Sequence, residues 1–153
     1  MADRIPLAEA VEASVWIECH QEDMDLHFRI RPLSFEKVDF NEVDEIGEVD
    51  LDSIGSGVLW ILKLEVVNIS KSTCENDFKD PLLMVDTDDF QFGVYDDDHL
   101  SCFSDYSKKS GLDIFFGRQL RPKIKAKGAI TFLLPDEETE YYITIEDGTI
   151  QEA

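Results

Sequence analysis

The chain is short of positive charge, histidine and cysteine, and each shortage removes a class of chemistry. Lysine and arginine number 14 against 34 aspartates and glutamates, for a formal net charge of −20. Free nucleic acid and anionic membranes are held by cations that neutralise phosphate, so a surface this acidic should repel both. Histidines occur only at His20, His27 and His99 and cysteines only at Cys19, Cys74 and Cys102. No CxxC pair or zinc-ligand spacing appears among them. Three cysteines permit one disulfide at most, and three reduced thiols fit the sequence equally well. Cys19 and His20 are neighbours in an extended segment, which points them to opposite faces and denies them a nucleophile–base pairing.

Other signals are missing too. No apolar run of roughly 18 residues occurs, and the first residues lack a basic stretch leading into an apolar one. As given, the sequence is expected to be soluble, cytoplasmic, or extracellular with an export signal already removed. Gly55-Ser-Gly57 lacks the spacing of a nucleophile elbow, and no lysine follows as in a P-loop. Asp50-Leu-Asp52-Ser-Ile-Gly55 begins like an EF-hand loop, but its twelfth position is Ile61 rather than glutamate. Carboxylate pairs will arise by chance in so acidic a chain and carry no weight for glycoside chemistry. No catalytic residue is assigned, and the chain is expected not to be an enzyme.

What is present is period-two alternation. Met24, Leu26, Phe28 and Ile30 alternate with Asp25, His27, Arg29 and Arg31, the pattern of a strand with one buried and one wet face. Ala13 to Cys19 predicts an earlier strand, preceded by a helical turn through Leu7 to Val11. Val58 to Val67 is apolar on both faces at its start, which predicts a central strand. Leu82 to Val85, Phe90 to Val94, Ile114 to Phe116, Ile124, Ala129 to Leu134 and Tyr141 to Ile145 supply the rest. Together they predict about seven to nine short strands in an all-β antiparallel sandwich. At 153 residues the chain fits one domain burying roughly 70% of its unfolded surface.

Charge is distributed unevenly. Glu36 to Gly57 predicts a long acidic loop carrying Glu42, Asp44, Glu45, Glu48, Asp50 and Asp52, a candidate surface for a partner with a basic face. It is also the ridge that a DNA-mimicking inhibitor of a nucleic-acid enzyme would need. Asp86, Asp88 and Asp89 in one turn, with Asp96, Asp97 and Asp98 in another, are candidate oxygen ligands for calcium, weighed against turn aspartates that bond their own backbone. Against this background Arg118, Arg121, Lys123, Lys125 and Lys127 form a basic stripe, with Ile124 and Ala126 expected to face inward. The stripe would protect an edge strand, or meet an acidic partner or the acidic loop of a second copy, forming a homo-oligomer.

Two sequence features together carry a resemblance. Lys63-Leu-Glu-Val-Val-Asn68, a strand ending in Asn, and Leu120-Arg-Pro122 with Gly128, Phe132 and Pro135, a closing hairpin, resemble the small immunoglobulin-like domains of unknown function found in secreted or lipid-anchored bacterial proteins. The resemblance implies an immunoglobulin-like β-sandwich used for adhesion or partner binding without catalysis. A calcium-stabilised extracellular domain is a further expectation. Asn68-Ile-Ser70 also fits the glycosylation sequon, although the simpler expectation is that Asn68 ends a strand.

Overall fold

The computed structural model describes residues 4–23, 25–37, 57–73, 78, 80–94, 113–114 and 120–153. In chain order its elements are β1 (Ile5–Pro6), α1 (Leu7–Ala13), β2 (Ile17–Gln21), β3 (Leu26–Lys37), β4 (Val58–Asn68), β5 (Leu82–Val85), β6 (Gln91–Gly93), β7 (Asp113–Ile114), β8 (Lys125–Leu134), β9 (Tyr142–Ile145) and β10 (Gly148–Glu152). The strands form a six-stranded sheet in the order β10-β2-β3-β4-β8-β7 and a four-stranded sheet in the order β1-β9-β5-β6. Neighbouring strands are antiparallel, except that β7 runs parallel to β8. The expected all-β sandwich is therefore what the chain forms.

The core follows from the alternation. Leu26, Phe28 and Ile30 of β3, Leu62, Leu64 and Val66 of β4, and Ile130 and Phe132 of β8 are buried from the large sheet; Leu82, Met84, Ile143 and Ile145 meet them from the small one. Phe78 packs edge-on against Phe28 with ring centroids 5.5 Å apart. At one end α1 buries Leu7 and Ala10 while Glu9 and Glu12 stay exposed. Pro6 precedes the helix with φ −58° and a still extended ψ of 120°, and Ser14 ends the helix at φ 51° in the left-handed region. The amide of Leu7, one of the first-turn donors without a partner inside the helix, bonds instead to the Tyr141 carbonyl at 3.0 Å. That bond fixes the helix beside the start of β9.

The strand β3 runs further than expected, through Glu36 and Lys37, and changes phase on the way. Pro32 lies opposite Leu64 and Ser34 opposite Lys63, so Leu33 is an extra residue in a β-bulge. Proline supplies no ladder amide, and a bulge is where a strand interior tolerates it. The inserted residue resets the alternation. Phe35 then pairs with Leu62 and Lys37 with Trp60, sharing the face of β4 that carries the buried Leu62 and Leu64. Without the bulge Ser34 and Glu36 would take those places.

Asn68 closes the other end of β4. It is 1% exposed. Its amide nitrogen donates to the carbonyls of Ser72 and Leu120, and its amide oxygen accepts from the Ser70 amide and hydroxyl. Its own carbonyl accepts from the Lys123 amide at 2.9 Å, and Asn68 and Pro122 form a parallel bridge. The two halves of the resemblance thus meet in space.

Candidate functional site

The phase change in β3 helps to build a concavity among the described residues. It is a groove of about 680 Å³ at the mouth of the sandwich, walled by α1 on one side and by residues 137–142 on the other. Its floor is aromatic. Phe35 stacks on Trp60 with centroids 4.7 Å apart and planes 15° from parallel. Tyr141 meets Phe35 edge-on at 6.4 Å and Phe92 of the small sheet at the same distance, so the aromatic cluster joins both sheets. Its hydroxyl is buried and has no hydrogen-bond partner among the described residues. Burial first, then the negative charges of Glu137 and Asp86, push the Tyr141 phenol above its ordinary range.

The rim is acidic. Glu9 and Glu12 line it from the helix and Glu137, Glu138 and Glu140 from the opposite wall, with Lys37 as the one cation among the described lining residues. The Lys37 ammonium sits over the Trp60 ring, 5.6 Å from its centroid. Beside the groove, Arg4 lies 4.8 Å over the Tyr142 ring and pairs with Asp89 at 2.6 Å. A floor of aromatic faces under a ring of carboxylates suits a cationic, partly apolar ligand. Sequence reasoning missed this site. The only signal for it was Trp60 and Phe35 in strands whose phases cannot be related without the bulge.

The sites expected from the sequence fare differently. Glu42, Asp44, Glu45, Glu48, Asp50 and Asp52 lie outside the described residues. The described residues on either side of them are Lys37, at the end of β3, and Gly57, just before β4. Asp96, Asp97 and Asp98 also lie outside the description. In the other turn Asp86 is buried, and one of its carboxylate oxygens accepts the amides of Asp88 and Phe90 at 2.9 and 3.0 Å. Asp89 is engaged by Arg4, and no metal-sized group of three His, Cys, Asp or Glu side chains occurs among the described residues. Phe90, expected within a strand, precedes β6 and is 64% exposed.

The basic stripe is not one strand face. Arg118 lies outside the described residues, and Lys123 occupies a turn at φ 65°, with the Ile124 amide reaching back to the Arg121 carbonyl. Ile124 therefore does not face inward; it is 58% exposed, whereas Ala126 is buried as expected. Only Lys125 and Lys127 share a strand face, opposite Val67 and Glu65. Nor is β8 a bare edge, since β7 pairs with it alongside Gly128 and Ala129.

That outer face is largely occupied with itself. Lys125 and Arg31 both lie over the Trp16 ring, 5.4 and 5.2 Å from its centroid, and Arg31 is ion-paired with Glu65. Glu18 accepts from Gln151 and pairs with Arg29 and His27. The Gln151 bond and then Arg29 hold its carboxyl below the usual range, against the opposing effect of burial. Cys19, on the inward face of β2, is fully buried, and desolvation pushes its thiol far above the ordinary range. A thiol in that state is no nucleophile at neutral pH.

No family model and no curated protein sequence matches the chain. In structure it is similar to the secreted protein MPT63 of Mycobacterium tuberculosis, with a TM-score of 0.55 and 12% identity over 89% of this chain and 92% of that one. A conserved hypothetical protein of Bacillus anthracis is similar at a TM-score of 0.50 and 15% identity, over 90% of this chain and 97% of that one. At such identities the likeness carries architecture alone: along most of its length, the chain shares with them a two-sheet β-sandwich.

Proposed function

We propose that the chain is a non-catalytic, immunoglobulin-like sandwich module that binds a protein partner bearing positive charge, with the groove at its mouth as the docking site. The observation that carries this reading is the pairing of an aromatic floor with the rim carboxylates Glu9, Glu12, Glu137, Glu138 and Glu140. The net charge of −20, to which the acidic residues Glu42, Asp44, Glu45, Glu48, Asp50 and Asp52 contribute, steers basic partners towards the molecule. An enzyme with a basic nucleic-acid groove, inhibited by mimicry, would be one special case of such a partner.

The test is a tryptophan-fluorescence titration with blocked peptides of equal length, one rich in arginine and lysine, one acidic and one neutral. Saturable binding of the basic peptide alone, weakening as sodium chloride rises, supports the reading. Equal response to all three, or to none, overturns it.

A further inference from the structure

We infer that the open face of Trp60 is a seat for an arginine side chain of the bound partner, and that Lys37 is the resident placeholder this arginine displaces. The inference rests on the reading of the groove as the site for a positively charged protein. Phe35 is stacked on the Trp60 ring, which leaves a cation one face to approach. The Lys37 ammonium stands over the ring at 5.6 Å from the centroid, within the roughly 6 Å reach of a cation–π contact. Lys37 is exposed and forms no ion pair among the described residues. Among the described residues it is held by the ring and by the acidic surroundings of the groove.

The bulge at Leu33 aims Lys37 into this position, in register with Trp60. Guanidinium is planar and more weakly hydrated than ammonium, stacks on aromatic faces, and forks onto carboxylates. An incoming arginine can therefore take both the ring and a rim carboxylate such as Glu138 or Glu140, while Lys37 swings out to water at small cost. One ring face accepts one cation, so the two compete.

Competition has a measurable signature. In a Trp16→Phe background Trp60 is the only tryptophan left of the two, and its fluorescence reports the seat. Lys37→Gln should tighten an arginine-containing blocked peptide by roughly three- to tenfold, the value of vacating one cation–π contact. The same peptide with citrulline in place of arginine, equal in shape but uncharged, should show no gain. Lys63→Gln removes the same charge from the outer face of the large sheet and serves as the control for long-range electrostatics.

A gain in Lys37→Gln clearly exceeding that in Lys63→Gln supports the seat. Equal gains, or no gain while the basic peptide still binds in a salt-sensitive way, overturn the seat and leave the wider reading standing. Failure of the basic peptide to bind either protein overturns both.

Discussion

At the level of single residues, Asn68 does the most to join distant parts of the chain. Its side chain serves the backbone at Ser70, Ser72 and Leu120 from a fully buried position, so removing it strands polar groups away from water. Asn68→Ala should cost about 2–4 kcal/mol, lowering the thermal midpoint by roughly 5–15 °C; calorimetry on the variant checks this. Its role was legible in part, because the sequence marked Asn68, Leu120 and Pro122 as a motif. That they touch was not, since 52 positions separate Asn68 from Leu120. Cys19 supplies a second expectation. With Cys74 and Cys102 replaced by serine, a thiol reagent should leave the folded protein untouched at neutral pH and label it only on unfolding. The folded thiol titrates above the unfolded one, so Cys19 does not alter stability below the ordinary thiol range; as pH rises beyond it, the unfolded chain loses protons first and stability falls. Denaturant midpoints measured across alkaline pH should decline more steeply than in Cys19→Ala.

Among the elements, the hairpin between β9 and β10 and the bulge in β3 show where sequence patterns stop being informative. The strand β3 was readable because eight alternating residues, Met24 to Arg31, outweigh local noise, β4 because its start is apolar on both faces, and β8 only over its apolar part, Ala129 to Leu134. By contrast β10 has a single inward apolar residue, Ile150, and offers no pattern to see. Its first residue is nonetheless constrained: a Cβ on Gly148 would come within 2.3 Å of the His20 carbonyl oxygen. Gly148→Ala should therefore destabilise by about 1–3 kcal/mol, since the obstacle is backbone. Gly93 in β6 meets nothing within 4 Å. There alanine should be neutral or slightly stabilising, by up to about 1 kcal/mol. Urea melts of the two variants side by side separate close approach from mere presence in a strand. The bulge escaped notice for a different reason. A one-residue insertion does not alter composition, and Ser34-Phe35-Glu36-Lys37 still alternates, only on the opposite phase.

For the whole molecule, charge sets the solution behaviour. A net charge of −20 repels itself in the compact state, and screening relieves it. Raising sodium chloride from low to near-molar concentration should raise the thermal midpoint by several degrees, and scanning calorimetry at fixed pH reads it directly. Overall charge was legible at once, and so was the sandwich. The groove was not, because it exists only where α1, the reset end of β3 and the approach to β9 converge. The placing of β9 has one more consequence, for the order in which the molecule comes into being. The strand β9 lies inside the small sheet, between β1 and β5, and β10 closes an edge of the large one on β2. Pairs such as Ile5 with Ile143 and Cys19 with Ile150 join the first strands made to the last. During synthesis β2, β3, β4 and β8 can pair with one another as they emerge, but the small sheet has no centre until Tyr142–Ile145 has been made, so β1 and β5 wait for a partner that follows them by more than fifty residues.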